Sequence, residues 1–420
     1  MRILWLSHLI PYPPKGGVLQ RSYNLLKEVC KQHEVTLFAF NQSDFLRKSL
    51  PVESDPVGAA VLELKTFVES VTVMTIPEEQ LKFGRYRTAL KALFSGNSYN
   101  MAWLRSREAA EALSELVENR AFDAVHIDTI SLCVYWDIVS HLPVFLNHHN
   151  FESRMLLERS KSESNPLKKI YFREEGRRLS ASERAYCELA CLNICCSDDD
   201  AEDMKNIFPK GSFVTIPNGV DISYFYSSQD VTKKPNTAVI VGGLSWYPNR
   251  KAVEFFISDI WPILKERIPE FRVDIIGRDP TKEMVELSKK ENNIHVHGFV
   301  DDVRKYLWES EFYLCPIKVG GGTKLKILDA LATGCCIIAD PFACKGINVT
   351  DSVNVIFAET AEGYVDKILE LRARQSLMEA ITENGPRLIA DRYDYEKIGK
   401  DYCRYIQEYS SCAGLSGGSQ

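Results

Sequence analysis

The 420-residue sequence has no CxxC pair, no excess of basic residues and no long unbroken apolar run, and each absence excludes a class of protein. Its 12 cysteines are scattered rather than framed. The tightest group is Cys187, Cys191, Cys195 and Cys196, whose spacing would set the first three on one face of a helix. Buried small hydrophobes in a reducing compartment are a better account of that group than a structural zinc. No stretch reaches the roughly 18 apolar residues of a membrane-spanning helix. The apolar opening, Ile3 to Leu6, is too short for a signal peptide and runs into a turn holding Pro11, Pro13 and Pro14 in place of a cleavage site. A cytoplasmic protein is expected, with attachment to a membrane face left open. Asp and Glu number 57 against 51 Lys and Arg, for a net charge of -6, which removes the general attraction to a phosphate backbone. No nucleic-acid partner is expected.

What is present is a soluble globular mixture, 45% hydrophobic and 26% charged. The length exceeds the roughly 300 residues at which single cores stop growing, so two domains are expected. Short apolar runs alternate with longer helix-compatible segments. In the first half the strand candidates are residues 3–7, 35–40, 60–64, 124–127, 144–147, 193–195 and 213–216, with helical stretches at 19–31, 105–119 and 165–190. Residues 67–103 fit the alternation poorly and read as helices and a loop. The polar stretch 221–236 carries a linker at its start. A second alternation follows, with strands at 238–241, 271–276, 295–297, 312–315, 336–339 and 355–357 and helices at 252–268, 281–291, 303–308, 324–332 and 363–382. This is the pattern of an α/β protein with two mainly parallel sheets, which places ligands beyond the carboxyl ends of the strands.

The loops at those ends carry the chemistry. Gly16 and Gly17 follow the first strand and open a helix, where bare amides can approach a phosphate; a plain turn is the competing account. The stronger signal is Gly320, Gly321, Gly322, Thr323, Lys324, Leu325, Lys326 and then Asp329. Three glycines bring amides to an anion, Thr323 can cap the helix, Lys324 and Lys326 supply positive charge for a diphosphate, and Asp329 can accept two hydroxyl protons from a ribose or sugar diol; a capped helix after a plain glycine turn is the competing account. The spacing is not that of the triphosphatase loop GxxxxGK[ST]. Asp198, Asp199 and Asp200 look like a metal-binding acidic motif, but they follow Ser197 at a helix start, so capping accounts for them better.

These motifs, together with Gly298 to Val303, Pro316, Gly334, His33 to Thr36 and Ile216 to Asp221, resemble the retaining glycosyltransferases of the large GT-B class, family 4 type (glycosyl transferases group 1). The resemblance covers nearly the whole chain and is weakest over residues 45–120. It implies two Rossmann-like domains facing a central cleft, 1–218 on the acceptor side and 219–392 holding the nucleotide sugar. A last helix near 393–409 would return to the first domain, followed by a flexible tail at 410–420. It further implies that Asp329 holds the ribose, that amides at Gly321 to Thr323 with Leu325 meet the diphosphate and sugar, and that Gly298 and Val300 border the base. His149 matches the family's histidine that contacts the donor sugar; polar packing or a metal are the alternatives, and no third ligand at useful spacing joins the His148 and His149 pair. Asn150 and Glu152 complete that local motif, with Glu152 orienting His149 or a helix start.

Two departures from the family pattern matter. Gly321 stands where many relatives have Glu, and Gly243 where many have an Arg on the diphosphate. Neutralisation must then come from Lys324 or Lys326, with Arg250 a weaker candidate, while Trp246 and Asn249 either border a sugar or belong to the core. The implied reaction moves a sugar from its nucleoside diphosphate to an acceptor hydroxyl with retention, without a cofactor or metal. Arg173, Glu174 and Glu175 read as solvated surface, and the basic, aromatic patch of Phe83, Arg85, Tyr86, Arg87, Lys91 and Phe94 slightly favours peripheral membrane contact. The alternatives are a nucleotide-sugar epimerase and a non-catalytic nucleotide-sugar sensor or partner subunit. The acceptor, be it glycan, lipid-linked precursor, small molecule or protein, is not legible.

Overall fold

The computed structural model describes residues 1–43, 46–47, 53–95, 98–228 and 230–416, and at 93–95 and 412–416 the backbone only. The chain divides into two compact units, one of Met1–Pro217 with Glu396–Gln420 and the other of Asn218–Tyr395.

The first unit is built on parallel strands β1 (Arg2–Ser7), β2 (Glu34–Asn41), β3 (Ser70–Thr75), β4 (Ala124–Ile127), β5 (Val144–His148), β6 (Leu192–Cys195) and β7 (Phe213–Thr215). Their order across the sheet is β3-β2-β1-β4-β5-β6-β7. The central strands β1, β2, β4 and β5 are apolar on both faces, as helices covering both sides of a parallel sheet require. Chain order runs outward from β1 in one direction and from β4 in the other. The crevice between β1 and β4 is therefore the switch point at which such sheets bind ligands.

Two expectations for this unit fail. The apolar run 60–64 is helical, within Pro56–Leu64: Asp55 caps it by accepting from the Gly58 amide and Pro56 occupies the first turn. A five-residue apolar run has no period of its own, and here the cap decided. Conversely β3 lies inside the stretch read as helices and a loop; it is an edge strand with only Met74 fully buried, so its apolar signal is weak.

The second unit has β8 (Lys234–Val241), β9 (Arg272–Ile276), β10 (Ile294–Gly298), β11 (Ser310–Cys315), β12 (Cys336–Ala339) and β13 (Ile356–Phe357), ordered β10-β9-β8-β11-β12-β13 and parallel throughout. Its switch point lies between β8 and β11. One face packs Ile240, Val273, Ile275, Phe312 and Leu314, the other Val239, Tyr313 and Ile337 against the helix Leu325–Ala332. The expected helix 252–268 is interrupted by a π turn at Phe256–Ile260, next to Pro262, which has no amide to donate. The stretch 363–382 is two helices, Ala361–Ala373 and Gln375–Arg392, broken at Arg374.

The last helix, Tyr395–Ser416, runs through much of the segment expected as a tail, and residues 417–420 lie outside the described residues. It packs on the first unit. Tyr402 is buried and its hydroxyl is 2.6 Å from His126 Nδ1, with the His126 ring stacked on Trp5 at 3.6 Å. Gly399 lies against Glu28, leaving no room for a Cβ. Cys187, Cys191 and Cys195 do not share a helix face: the helix Pro166–Leu189 ends after Cys187, and Cys195 is in β6. Ser197 caps its helix by accepting from the Asp200 amide, with the three aspartates in the first turn.

Candidate functional site

In the second unit the loops after β8 and β11 meet. The helix after the glycine run spans Leu325–Ala332 with Lys324 at its N-cap and no side-chain cap, so Thr323 does not cap it as expected. Gly320 (φ +101) and Gly322 (φ +70) take backbone conformations that L side chains disfavour, and Gly320 lies against Pro248, with no space for a Cβ.

The two lysines are used differently. Lys324 Nζ folds back on its own loop and donates to the carbonyls of Gly320, Gly321 and Gly322 at 3.3, 3.1 and 2.7 Å. Lys326 Nζ donates to Asn249 Oδ1 at 2.5 Å, and Asn249 Nδ2 in turn donates to the Gly243 carbonyl at 2.9 Å. Among the described residues neither lysine has a carboxylate within 4.0 Å. Burial pushes the Lys324 ammonium down to about 8, aided by the positive charges of Lys326 and Lys345. Burial also lowers Lys326. The charge of Asp329 opposes that shift at Lys326, but among the described residues neither ammonium is ion-paired to a carboxylate, an arrangement that can accept an anion.

The other candidates of this unit are near or at strand ends. Gly242 closes β8 directly against Lys326, and Gly243 faces open space. Trp246 is more than half exposed, and Arg250 lies 3.8 Å from Glu254 on its own helix. Gly298 (φ +70) ends β10 with its carbonyl accepting from the Gly277 amide at 2.9 Å, and Val300 follows, partly buried. Asp329 is partly buried one turn into its helix; its charge reaches Tyr224, whose ring lies 3.8 Å from the Arg304 guanidinium. Tyr224 and Arg304 were not anticipated.

In the first unit the adjacent histidines separate. His148 is in the core, Nε2 3.1 Å from Asn193 Oδ1, and burial drives it down to about 4, so it is neutral. His149 emerges after β5 with Nε2 3.2 Å from Asp128 Oδ1. Asp128 follows β4 and is almost wholly buried. His8, after β1, brings Nδ1 to 3.2 Å from Asp128 Oδ2. Ser22 donates to both carboxylate oxygens at 3.2 and 3.0 Å, and Asn147 Nδ2 donates to the Asp128 carbonyl at 3.1 Å. Arg21 Nη2 holds Asn147 Oδ1 at 3.0 Å. Burial alone would raise the Asp128 carboxyl, but the charge of His149 and the contacts of His126, His149 and His8 hold it well below the usual carboxylate range.

The expectation that no further ligand joins the histidine pair is therefore corrected. His8, Asp128 and His149 bring one ligand atom each within 4.8 Å of one another, close enough for a metal ion or for a hydrogen-bonded carboxylate and imidazoles. The partners come from other strand ends, far away in sequence. Glu152 does not orient His149. It starts the helix Glu152–Ser162, accepts from Thr129 Oγ1 at 2.8 Å and lines, with His8, Gln42, Tyr99, Asn100 and Trp103, an open pocket of about 370 Å³. Asn150 is partly buried between them in sequence. Gly16 (φ +100) and Gly17 are exposed at the start of the helix Gly17–Val29, with open space at Gly16.

The peripheral patch is only partly a surface. Phe83, Tyr86 and Leu90 are exposed, Arg85 lies over the buried Trp103 ring at 5.8 Å, and the Phe94 side chain lies outside the described residues. Glu175, expected on the solvated face, is buried and accepts from the Tyr99 amide. Among the described residues no helix is long and apolar enough to cross a membrane.

Residues 15–224 match the family described as Glycosyltransferase Family 4, and residues 235–374 match Glycosyl transferases group 1. No curated protein matches the chain in sequence. Among solved structures, sucrose-phosphate synthase from Thermosynechococcus elongatus is similar with a TM-score of 0.69 at 15% identity, over 98% of this chain and 100% of its own. HepE of Anabaena, in complex with UDP, is similar with a TM-score of 0.65 at 14% identity, over 97% and 100%. A glycosyltransferase from Rickettsia africae is similar with a TM-score of 0.65 at 12% identity, over 97% and 98%. The shared fold is GT-B.

Proposed function

The chain belongs to glycosyltransferase family 4, and from that membership we propose that it moves a hexose from a nucleoside diphosphate donor to an acceptor hydroxyl with retention of configuration. The observation that carries the donor reading is the pair Lys324 and Lys326 beside the glycine loop, two partly buried ammonium groups with no carboxylate within ion-pair distance among the described residues. A diphosphate supplies the missing negative charge there. HepE, which has the same fold, is known in complexes with UDP and with UDP-glucose, which supports UDP as the first nucleotide to test.

In this reading the bond between the anomeric carbon and the diphosphate oxygen breaks as the bond to the acceptor oxygen forms on the same face. The acceptor proton passes to the departing phosphate oxygen. The lysines and loop amides stabilise the charge that accumulates on the diphosphate, so no metal is needed to bridge it. Asp329 takes the ribose hydroxyls and His149 contacts the donor sugar. Exposed Phe83, Tyr86 and Leu90 support contact with a membrane surface on the first unit.

Calorimetry with UDP, GDP and ADP, with and without magnesium, tests the donor site before an acceptor is known. Magnesium-independent binding of one of them is expected, followed by acceptor-dependent release of that nucleotide from its sugar. Failure of all three to bind would refute the donor site. Binding with isomerisation of the sugar and no release would identify an epimerase.

A further inference from the structure

The first unit holds a buried anion at its switch point that the donor reading does not use. Asp128 is 2% exposed and receives groups from every side. Its Oδ2 faces Ser7 Oγ at 3.4 Å, Ser22 Oγ at 3.0 Å and His8 Nδ1 at 3.2 Å. Its Oδ1 faces Ser22 Oγ at 3.2 Å, Asn147 Nδ2 at 3.4 Å, His149 Nε2 at 3.2 Å and His126 Nε2 at 3.7 Å, and His149 Nε2 also lies 3.5 Å from Asn147 Nδ2, farther than from the carboxylate. Its amide is tied to the Leu6 carbonyl at 3.0 Å, which fixes the carboxylate to the β1 edge. The far side of this arrangement is closed, because His126 is tied to Tyr402 of the terminal helix and Asn147 to Arg21. Among the described residues around the carboxylate, His8 and His149 lead towards accessible surface, with side chains 18% and 8% exposed.

A carboxylate beside one ring nitrogen of a histidine selects the tautomer with its proton on that nitrogen and leaves the lone pair on the other. We propose that Asp128 is a positioning residue: its carboxylate fixes His149 as the Nε2–H tautomer, leaving the Nδ1 lone pair for a substrate hydroxyl. The inference rests on the reading of His149 as a substrate contact, and it assigns Asp128 no direct contact with substrate. Asp128 acts through the imidazole, as the orienting carboxylate does in hydrolytic triads.

The test uses the full chain with 15N-labelled histidine. Long-range 1H–15N spectra at pH 8.5 report which ring nitrogen carries the proton, with signals assigned through His149→Gln and His8→Gln. The expected result is the Nε2–H form for His149, lost in Asp128→Asn and kept in Asp128→Glu. A wild-type His149 protonated on Nδ1 would overturn the proposal even if Asp128→Asn does not fold, and so would an unchanged ring in a folded Asp128→Asn. Kinetics supply the second arm: Asp128→Asn should lower kcat at least tenfold with donor KM within twofold. It should change nothing further in a His149→Ala background; additive losses would overturn the proposal. The spectra need no turnover, so an Asp128-dependent tautomer in a protein that binds no nucleotide would support the positioning role while removing the donor reading.

Discussion

The ammonium of Lys326 occupies the space that a Cβ on Gly242 would need, and Asn249 packs against the same position. The seat of the Lys326 ammonium is thus shaped by the absence of a side chain at the end of the neighbouring strand β8. Gly242→Ala should lower stability, because φ +156 disfavours any side chain there, and should displace Nζ from Asn249 Oδ1. A hydrogen bond to a charged group is worth about 1.5–3 kcal/mol. Calorimetry on the folded variant should therefore show UDP affinity about tenfold to a hundredfold weaker, alongside a lowered melting temperature, and equal affinity would dissociate Lys326 from the nucleotide.

Gly243 is the counterpart. It is exposed, has nothing within 4 Å of a Cβ, and stands where the family pattern often has an arginine. Gly243→Arg should be tolerated and should tighten diphosphate binding by up to about tenfold, since a surface charge of this kind contributes on the order of 1 kcal/mol. Weaker binding would show that the diphosphate does not lie on this side of the loop.

Donor affinity should depend on pH through Lys324. Burial holds its ammonium at about 8 in the free protein, and a bound diphosphate favours the charged form. Below that value the lysine is already charged; above it, binding must take up a proton. Affinity should therefore fall as pH rises beyond about 8, by at most about tenfold per unit. Calorimetry at pH 9 in two buffers of different ionisation heat should register proton uptake close to one, and a value of zero would exclude Lys324 from the diphosphate.

Glu183 offers a stability test away from the site. It is fully buried, accepts from the Ser153 amide at 3.1 Å through Oε1, and leaves Oε2 without a hydrogen bond. Burial lifts its carboxyl from 4.5 to about 8. Its folded value exceeds the unfolded one, so its contribution is present in full below the unfolded value of 4.5 and is lost as pH rises towards about 8. Glu183→Gln imitates the protonated acid. Thermal melts should show it close to wild type at pH 5 and more stable at pH 9, by roughly 1–3 kcal/mol, the usual cost of an unsatisfied buried polar group. Equal pH dependence in both proteins would rule this out.

Much of the fold was legible because alternation of apolar runs and helical stretches is a local property. The bounds of β4 and β12 agree with the apolar runs 124–127 and 336–339, and the loops after β8 and β11 stand where strand-end reasoning puts a ligand. The errors at 60–64 and 70–75 came where a cap or a weakly buried edge strand overrode the apolar pattern. Lys324 and Lys326 were visible as a charged motif. Their division into one lysine closing its own loop and one lying on Asn249 was not, because 77 residues separate Asn249 from Lys326.

By itself the sequence determined the alternating architecture, the glycine-rich loop and the family, all of which are written in short contiguous motifs. Tertiary structure alone decided which of two neighbouring histidines stays in the core and which joins His8 and Asp128. Strand alternation could place His148 and His149 on opposite sides, but only the parallel pairing of β1, β4 and β5 brings His8, Asp128 and His149 to one point. That pairing joins positions more than 100 residues apart, and a buried carboxylate keeps its charge only where such distant partners converge.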